Sequence, residues 1–222
     1  MLHVSMRAVG GDADALLDAL LDVLGPSGTL VMLLCADDED GPFDALTTPV
    51  DVEDMGVVAE RFRLRAGDQV SDHPAARFAV IGAHAAGLLE RNPLHHYYGP
   101  GSFLERLLEL DVRVLRLGAN VDTVTLTHHA EYLADVPDKI HVTRRYNRAD
   151  TGIVDVHSLD DTDGIRPWAG GDYFGQILVD FVRSGHAAIG AVGRCTAELL
   201  EGPAFVDFAV RWMERALGSQ SG

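Results

Sequence analysis

Residues 29–35, TLVMLLC, form an unbroken apolar run. Such a run marks a strand covered on both faces, which in turn demands layers of structure on either side of it. Just upstream, Leu16, Leu17, Leu20, Leu21 and Leu24 recur at helical spacing across 13–24, with Asp14, Asp18 and Asp22 between them. Gly25-Pro26 then ends this amphipathic helix. The same alternation continues along the chain. Short helices are predicted over 55–62, 83–90 and 103–110, and strands over 78–81 and 112–117, with 36–54 an acidic loop between them. Strands alternating with helices through residue 133 predict an α/β fold, layered around a central, largely parallel or mixed sheet flanked by helices.

The last third has a different texture. HVTRRY (141–146) and GIVDVH (152–157) predict a hairpin around Asn147, Arg148, Ala149 and Asp150. A helix over 173–184, a strand over 187–192 and a closing helix over 205–217 follow. No long Pro/Ser/Gly linker interrupts the chain, so residues 1–222 are expected to form a single domain. No run of eighteen apolar residues occurs and residues 1–11 lack signal-peptide order, which predicts a cytoplasmic protein. Cys35 and Cys195 have no C-x-x-C spacing and are expected to be buried thiols.

Charge narrows the ligand class. Asp and Glu number 34 against 18 Lys and Arg, a formal net charge of −16, which disfavours nucleic acid and suits a cationic ligand. Many acidic proteins are charged only for solubility, so charge needs a site before it carries a function.

The segment GANVDTVTLTHHAEY (118–132) supplies one. It follows the strand 112–117, and residues beyond the carboxyl end of a strand in such a sheet face the ligand crevice. Asp122 or Thr123 is placed to cap a helix that carries His128 and Glu131 three residues apart on one face. His129 is turned about 100° away. H-H-x-E is not a helical zinc pattern, so no metal is expected, and a satisfied structural histidine is the ordinary reading of a lone ring.

Several motifs, in order along nearly the whole chain, resemble the aminoglycoside 3-N-acetyltransferase family, which is distinct from the GNAT fold. They are LHVSM (2–6), GPSGTLVM (25–32), GPFDALTTPV (41–50), MGVVAERFR (55–63), SDHPAARFAVIGAHA (71–85) and LGANVDTVTLTHHAEYLADVP (117–137). The resemblance implies transfer of an acetyl group from acetyl-CoA to an amine of a cationic amino sugar, by direct attack in a ternary complex. His128 then corresponds to the family's general base, and Glu131 to the glutamate that orients it or meets substrate charge. Ser5, Arg7, Ser71 and Thr125 fall to acetyl-CoA, the Thr125 hydroxyl towards the pantetheine arm or the developing oxyanion. Glu39, Asp40, Asp161 and Asp163 fall to the substrate's ammonium groups. His73, which precedes Pro74, is expected to brace its loop.

Departures from the family pattern motivate an alternative. The chain opens inside the first motif, so the family's N-terminal helix and part of its first strand are expected to be absent, and an incomplete sheet edge would favour a homodimer. Val70, Arg77 and Val124 replace the motif's Arg, Ser and Asn, and Phe103 stands where the family has Pro. A degenerate member that binds CoA or a cationic ligand without efficient turnover is the second expectation. A metal-dependent hydrolase using His128, His129 and Glu131 is the third.

Overall fold

A computed structural model describes residues 1–37 and 41–218. The chain begins with β1 (Leu2–Val4), α1 (Met6–Val9), α2 (Ala13–Leu24) and β2 (Thr29–Leu33), followed by α3 (Val52–Met55), α4 (Val57–Ala66) and β3 (Phe78–Gly82). Next come α5 (Ala85–Leu88), α6 (Phe103–Glu109), β4 (Arg113–Leu117) and α7 (Leu126–Leu133). The hairpin β5 (His141–Arg148) and β6 (Gly152–Leu159) leads to α8 (Tyr173–Arg183), β7 (Ala187–Val192), β8 (Cys195–Glu201) and α9 (Gly202–Leu217).

The predicted α/β layering holds, with a mixed central sheet. Its strand order is β1-β4-β8-β7. Only β1 and β4 run parallel among the described pairs, with Leu2 opposite Leu115 and Val4 opposite Leu117. Of the two expected forms, largely parallel or mixed, the sheet takes the mixed one, because β8 returns from β7 through a tight hairpin and also pairs antiparallel with β4. β2 pairs antiparallel with β3. β1, three residues long, pairs with β4 along its whole length.

The apolar run that opens the argument is covered as predicted. Val31 packs into one core cluster with Phe78, Val80 and Phe103, while Leu30 and Met32 point the other way into a second cluster with Leu17 and Phe62. The strand ends at Leu33, short of Cys35. Both cysteines are free and half-buried, not fully buried as expected. Burial pushes the Cys35 thiol up to about 11, with Asp161, Asp54 and Asp51 adding to it, so it is an inert group at neutral pH.

Several boundaries differ for local reasons. The helix predicted over 55–62 is two helices, because Gly56 adopts a φ of 80° between them. The helix predicted over 83–90 shrinks to Ala85–Leu88. The hairpin strands run on to Arg148 and start at Gly152, so the turn is 149–151. β8 was not anticipated.

Buried arginine holds the 41–50 segment in place. Arg77 is fully buried, donates to the carbonyls of Ala45, Thr48 and Pro49 and lies over the Phe43 ring. Burial lowers its pKa to about 10, so it remains a cation at neutral pH. Phe78 and Phe103 stack at 4.1 Å where β3 meets α6, in the larger cluster. Phe103→Ala is expected to cost about 3–5 kcal/mol in chemical denaturation, because the rigid surroundings cannot collapse into the space.

Candidate active site

The cleft opens at the carboxyl ends of the parallel pair β1 and β4. It has a volume of ≈ 700 Å³, and its wall includes His3, Thr125, His128, Asp161, Trp168 and Phe174. Gly118 ends β4 with a φ of 61°, and an added Cβ there would collide with Ala8. The chain then turns through 119–125 into α7.

Arg116 fixes that turn. Strand alternation places it on the same side as Val112 and Val114, so the guanidinium is drawn into the core. There it pairs with Glu198 of β8 and donates to the carbonyls of Thr123, Ala119 and Asn120. From the opposite side, His3 on β1 accepts the Thr125 N–H through Nε2 at 3.4 Å. Burial, helped by the positive N-terminus and Arg116, drops the His3 pKa to about 3, which keeps that nitrogen an acceptor. Thr125 takes the cap position of α7 without a side-chain cap bond. Neither Asp122 nor Thr123 fills the cap.

The two adjacent histidines do different work. His129 is buried and its Nδ1–H donates to the Tyr98 carbonyl at 2.7 Å. Burial lowers its pKa. Its partner Tyr98 stacks face to face on His128, ring centroids 5.0 Å apart and 10° from parallel, while Phe174 meets the same His128 ring edge-on at 5.3 Å. His129 thus places the ring that holds His128.

His128 is 19% exposed on its side chain and Glu131 only 1%. Nδ1 of His128 lies 3.0 Å from Oε2 of Glu131, which leaves Nε2 as the ring nitrogen not engaged by the carboxylate. Burial opposes the imidazolium, but the hydrogen bond and charge of Glu131, with Asp161 adding and Arg144 opposing, outweigh it and raise the His128 pKa above 6.5. The other carboxylate oxygen, Oε1, accepts from the Tyr173 hydroxyl. A histidine oriented by a buried carboxylate, at the wall of an open cleft, is an arrangement for taking a proton from a bound group.

Of the remaining residues singled out in the sequence, Thr125, Asp161 and Asp163 line the cleft with His128. Asp161 is already engaged, pairing with Arg144 and accepting from the Tyr97 hydroxyl at 2.6 Å. Asp163 and Asp122 stand exposed at the rim, and Asp172 caps α8 through Phe174 and Gly175 N–H. Ser5 and Arg7 lie just past β1, outside the cleft wall, where the Ser5 carbonyl starts α1 and Arg7 is exposed. Ser71 is buried away from the cleft, and its hydroxyl accepts the Phe78 N–H at 2.8 Å. His73 accepts the Ala75 and Ala76 N–H groups on Nδ1 and donates from Nε2 to Leu94, so it braces its loop; burial lowers its pKa to about 4. Glu39 and Asp40 lie outside the described residues. Among the described residues no group of three or more His, Cys, Asp and Glu is arranged to hold a metal ion, and no helix is long and apolar enough to cross a membrane.

Sequence reasoning gave no role to His3, Tyr98, Arg116, Trp168, Tyr173 or Phe174. Only Arg116 carried a local signal, a charge on the buried side of an alternating strand.

Fold and site together define a layered α/β protein with a histidine–carboxylate pair in an acid-lined cleft. The family model for aminoglycoside 3-N-acetyltransferase matches residues 1–214. The chain is 34% identical to aminoglycoside N(3)-acetyltransferase VII of Streptomyces paromomycinus, over all of this chain and 87% of that one. It is also 34% identical to aminoglycoside N(3)-acetyltransferase III of Pseudomonas aeruginosa, over all of this chain and 89% of that one. Among solved structures, AAC-IIIb in a binary complex with CoASH superposes with a TM-score of 0.91 at 32% identity, covering 100% of this chain and 91% of that one. AAC-VIa bound to sisomicin gives 0.91 at 28% identity, covering 99% and 91%. The chain belongs to the aminoglycoside 3-N-acetyltransferase family.

Replacing Arg116 with Met is expected to cost about 2–4 kcal/mol, since Glu198 loses its partner and three carbonyls lose a donor. Hydrogen exchange should show the loss concentrated in amides 119–125; uniform loss of protection across the sheet would contradict the clamp.

Proposed function

We propose that this protein transfers the acetyl group of acetyl-CoA to the 3-amino group of an aminoglycoside, by direct attack in a ternary complex with His128 as general base. The observation that carries the reading is the 3.0 Å contact of His128 Nδ1 with buried Glu131, which orients Nε2 as acceptor. Relatives bound to CoASH and to sisomicin supply the two substrate classes. Use of acetyl-CoA supports the reading of a cytoplasmic protein.

Carboxylates along the cleft, Asp163 and Asp122 at the rim and Asp161 deeper in, attract a polycation and favour its ammonium form. An ammonium has no lone pair, so it must lose a proton before it attacks. His128 Nε2 takes that proton, and the freed amine nitrogen then bonds to the thioester carbonyl carbon, whose oxygen becomes an oxyanion. The tetrahedral species collapses with cleavage of the carbon–sulfur bond; the second proton on the nitrogen passes to the departing CoA sulfur, leaving a neutral amide and a free thiol, and His128 releases its proton to solvent. Glu131 holds the ring's tautomer and offsets the imidazolium charge formed during the step. Thr125, at the start of α7 beside the base, has its N–H committed to His3, so its hydroxyl is the group left to meet the oxyanion or the pantetheine arm. Trp168 and Phe174 give the cleft apolar surface against sugar ring faces.

His128→Ala is expected to lower thiol release from acetyl-CoA in the presence of an aminoglycoside by about 10³-fold, with little change in KM. An unchanged rate would remove His128 as the base. The pH profile gives a second check. Because the His128 pKa is raised, the wild-type rate should climb with pH through a limb above 6.5. In Glu131→Gln the largest raising charge is gone and burial remains, so the limb should move to lower pH while kcat falls.

A further inference from the structure

The Glu131 carboxylate has 1% of its side chain exposed, and its two oxygens meet two different donors. Oε2 faces His128, and Oε1 accepts from the Tyr173 hydroxyl. That hydroxyl is itself an acceptor, receiving the Ile165 N–H at 2.8 Å. Its proton is therefore committed to Glu131, since its lone pair is held by an amide that can only donate. Tyr173 is buried, its ring stacked on Phe174 at 4.6 Å, and it sits in the first turn of α8 behind the Asp172 cap. Gly164, with a φ of 85°, comes so close to the hydroxyl that an added Cβ would displace it. The phenol is thus held by the Glu131 carboxylate, by the Ile165 amide beside Gly164 and by the stacked Phe174 ring.

We propose that Tyr173 is a positioning residue of the acetyl-transfer site, the third member of a His128–Glu131–Tyr173 chain that sets the basicity of His128 by sharing the charge of Glu131. The inference rests on the proposed role of His128 as base and adds to it. A carboxylate in a dry site spreads its charge over the donors it has. With two donors it pulls on the histidine proton only in part; with one it pulls harder and holds the ring as imidazolium, which cannot accept a proton. Tyr173 keeps Glu131 strong enough to orient His128 and weak enough to release it as a base. It also ties the base to the far wall of the cleft, since Trp168 and Phe174 lie on the same 164–174 segment. The other charged groups bearing on His128 are Asp161, which favours its charged form, and Arg144, which opposes it; Asp160 is the further charge that bears on Tyr173. None of these contacts the Tyr173 hydroxyl among the described bonds.

The test is the titration of the His128 ring, followed by NMR of selectively labelled imidazole in the free enzyme, together with the pH profile of kcat/KM. Tyr173→Phe keeps the stacked ring and removes only the hydroxyl. It should raise the His128 pKa by about one unit. The acid limb of kcat/KM should move up by the same amount, so that the rate at a pH below both values falls about tenfold and recovers in alkaline buffer. In a Glu131→Gln background the same substitution should leave the histidine titration in place. Site-specific 3-fluorotyrosine at 173, a stronger donor of the same shape, should move the titration down, and it serves where the phenylalanine variant folds poorly. A His128 titration that stays put in both Tyr173 variants, or a loss of rate independent of pH, overturns the proposal. Failure of the acetyl-transfer reading is distinct: it would appear as absent wild-type turnover, while the ring titration still decides whether Tyr173 tunes His128.

Discussion

A carboxylate sealed in a protein interior must be met by donors, and the site is organised around how Glu131 meets this demand. Its helix cannot supply them all. One comes from His128, a turn earlier on the same face, and the other from Tyr173 on α8, 42 residues further along the chain. Joining these three side chains brings α7 and α8 to a fixed separation and places the 164–174 wall opposite the base. The same contacts that remove the cost of a buried charge create an oriented histidine with one nitrogen turned to the cleft.

The surroundings brace the assembly from the sheet. Arg116 and His3 act on the two ends of the segment that leads into α7, one by donating to carbonyls and the other by accepting an N–H. His129 extends the bracing to the other side of the helix, because its bond to the Tyr98 carbonyl sets the ring that stacks on His128. Each device is buried and each exchanges hydrogen bonds with backbone, so the loop before His128 is tied down by bonds shielded from water. Such bracing suits the proposed role of His128, a base whose proton acceptor must point at a bound amine without reorganising.

How much of this could be read in the sequence depended on how far apart the partners lie. The helix over 13–24 and the strand from Thr29 were legible because their patterns are local and strongly periodic. The pairing of His128 with Glu131 was legible for the same reason, being one helical turn. β8 was not, since CTAELLE has little apolar alternation and one of its glutamates, Glu198, is spent on a buried arginine 82 residues away. The choice between a largely parallel and a mixed sheet stayed open for a related reason, because alternation of helix and strand says nothing of a late hairpin inserting itself. Tyr98 and Tyr173 are ordinary aromatics in the sequence and acquire their roles only across separations of 31 and 42 residues. Motif resemblance located His128 and Thr125 in the cleft and also pointed to Ser71, whose hydroxyl closes a turn elsewhere.

The central claim is that Glu131 holds His128 with its proton on Nδ1 and its lone pair on Nε2. Imidazole 15N chemical shifts of His128 in the free enzyme, recorded well above its raised pKa, measure this directly. The account predicts a protonated Nδ1 and a bare Nε2. A neutral ring carrying its proton on Nε2 would contradict it, since that ring could neither donate to Glu131 nor accept a proton from a substrate in the cleft.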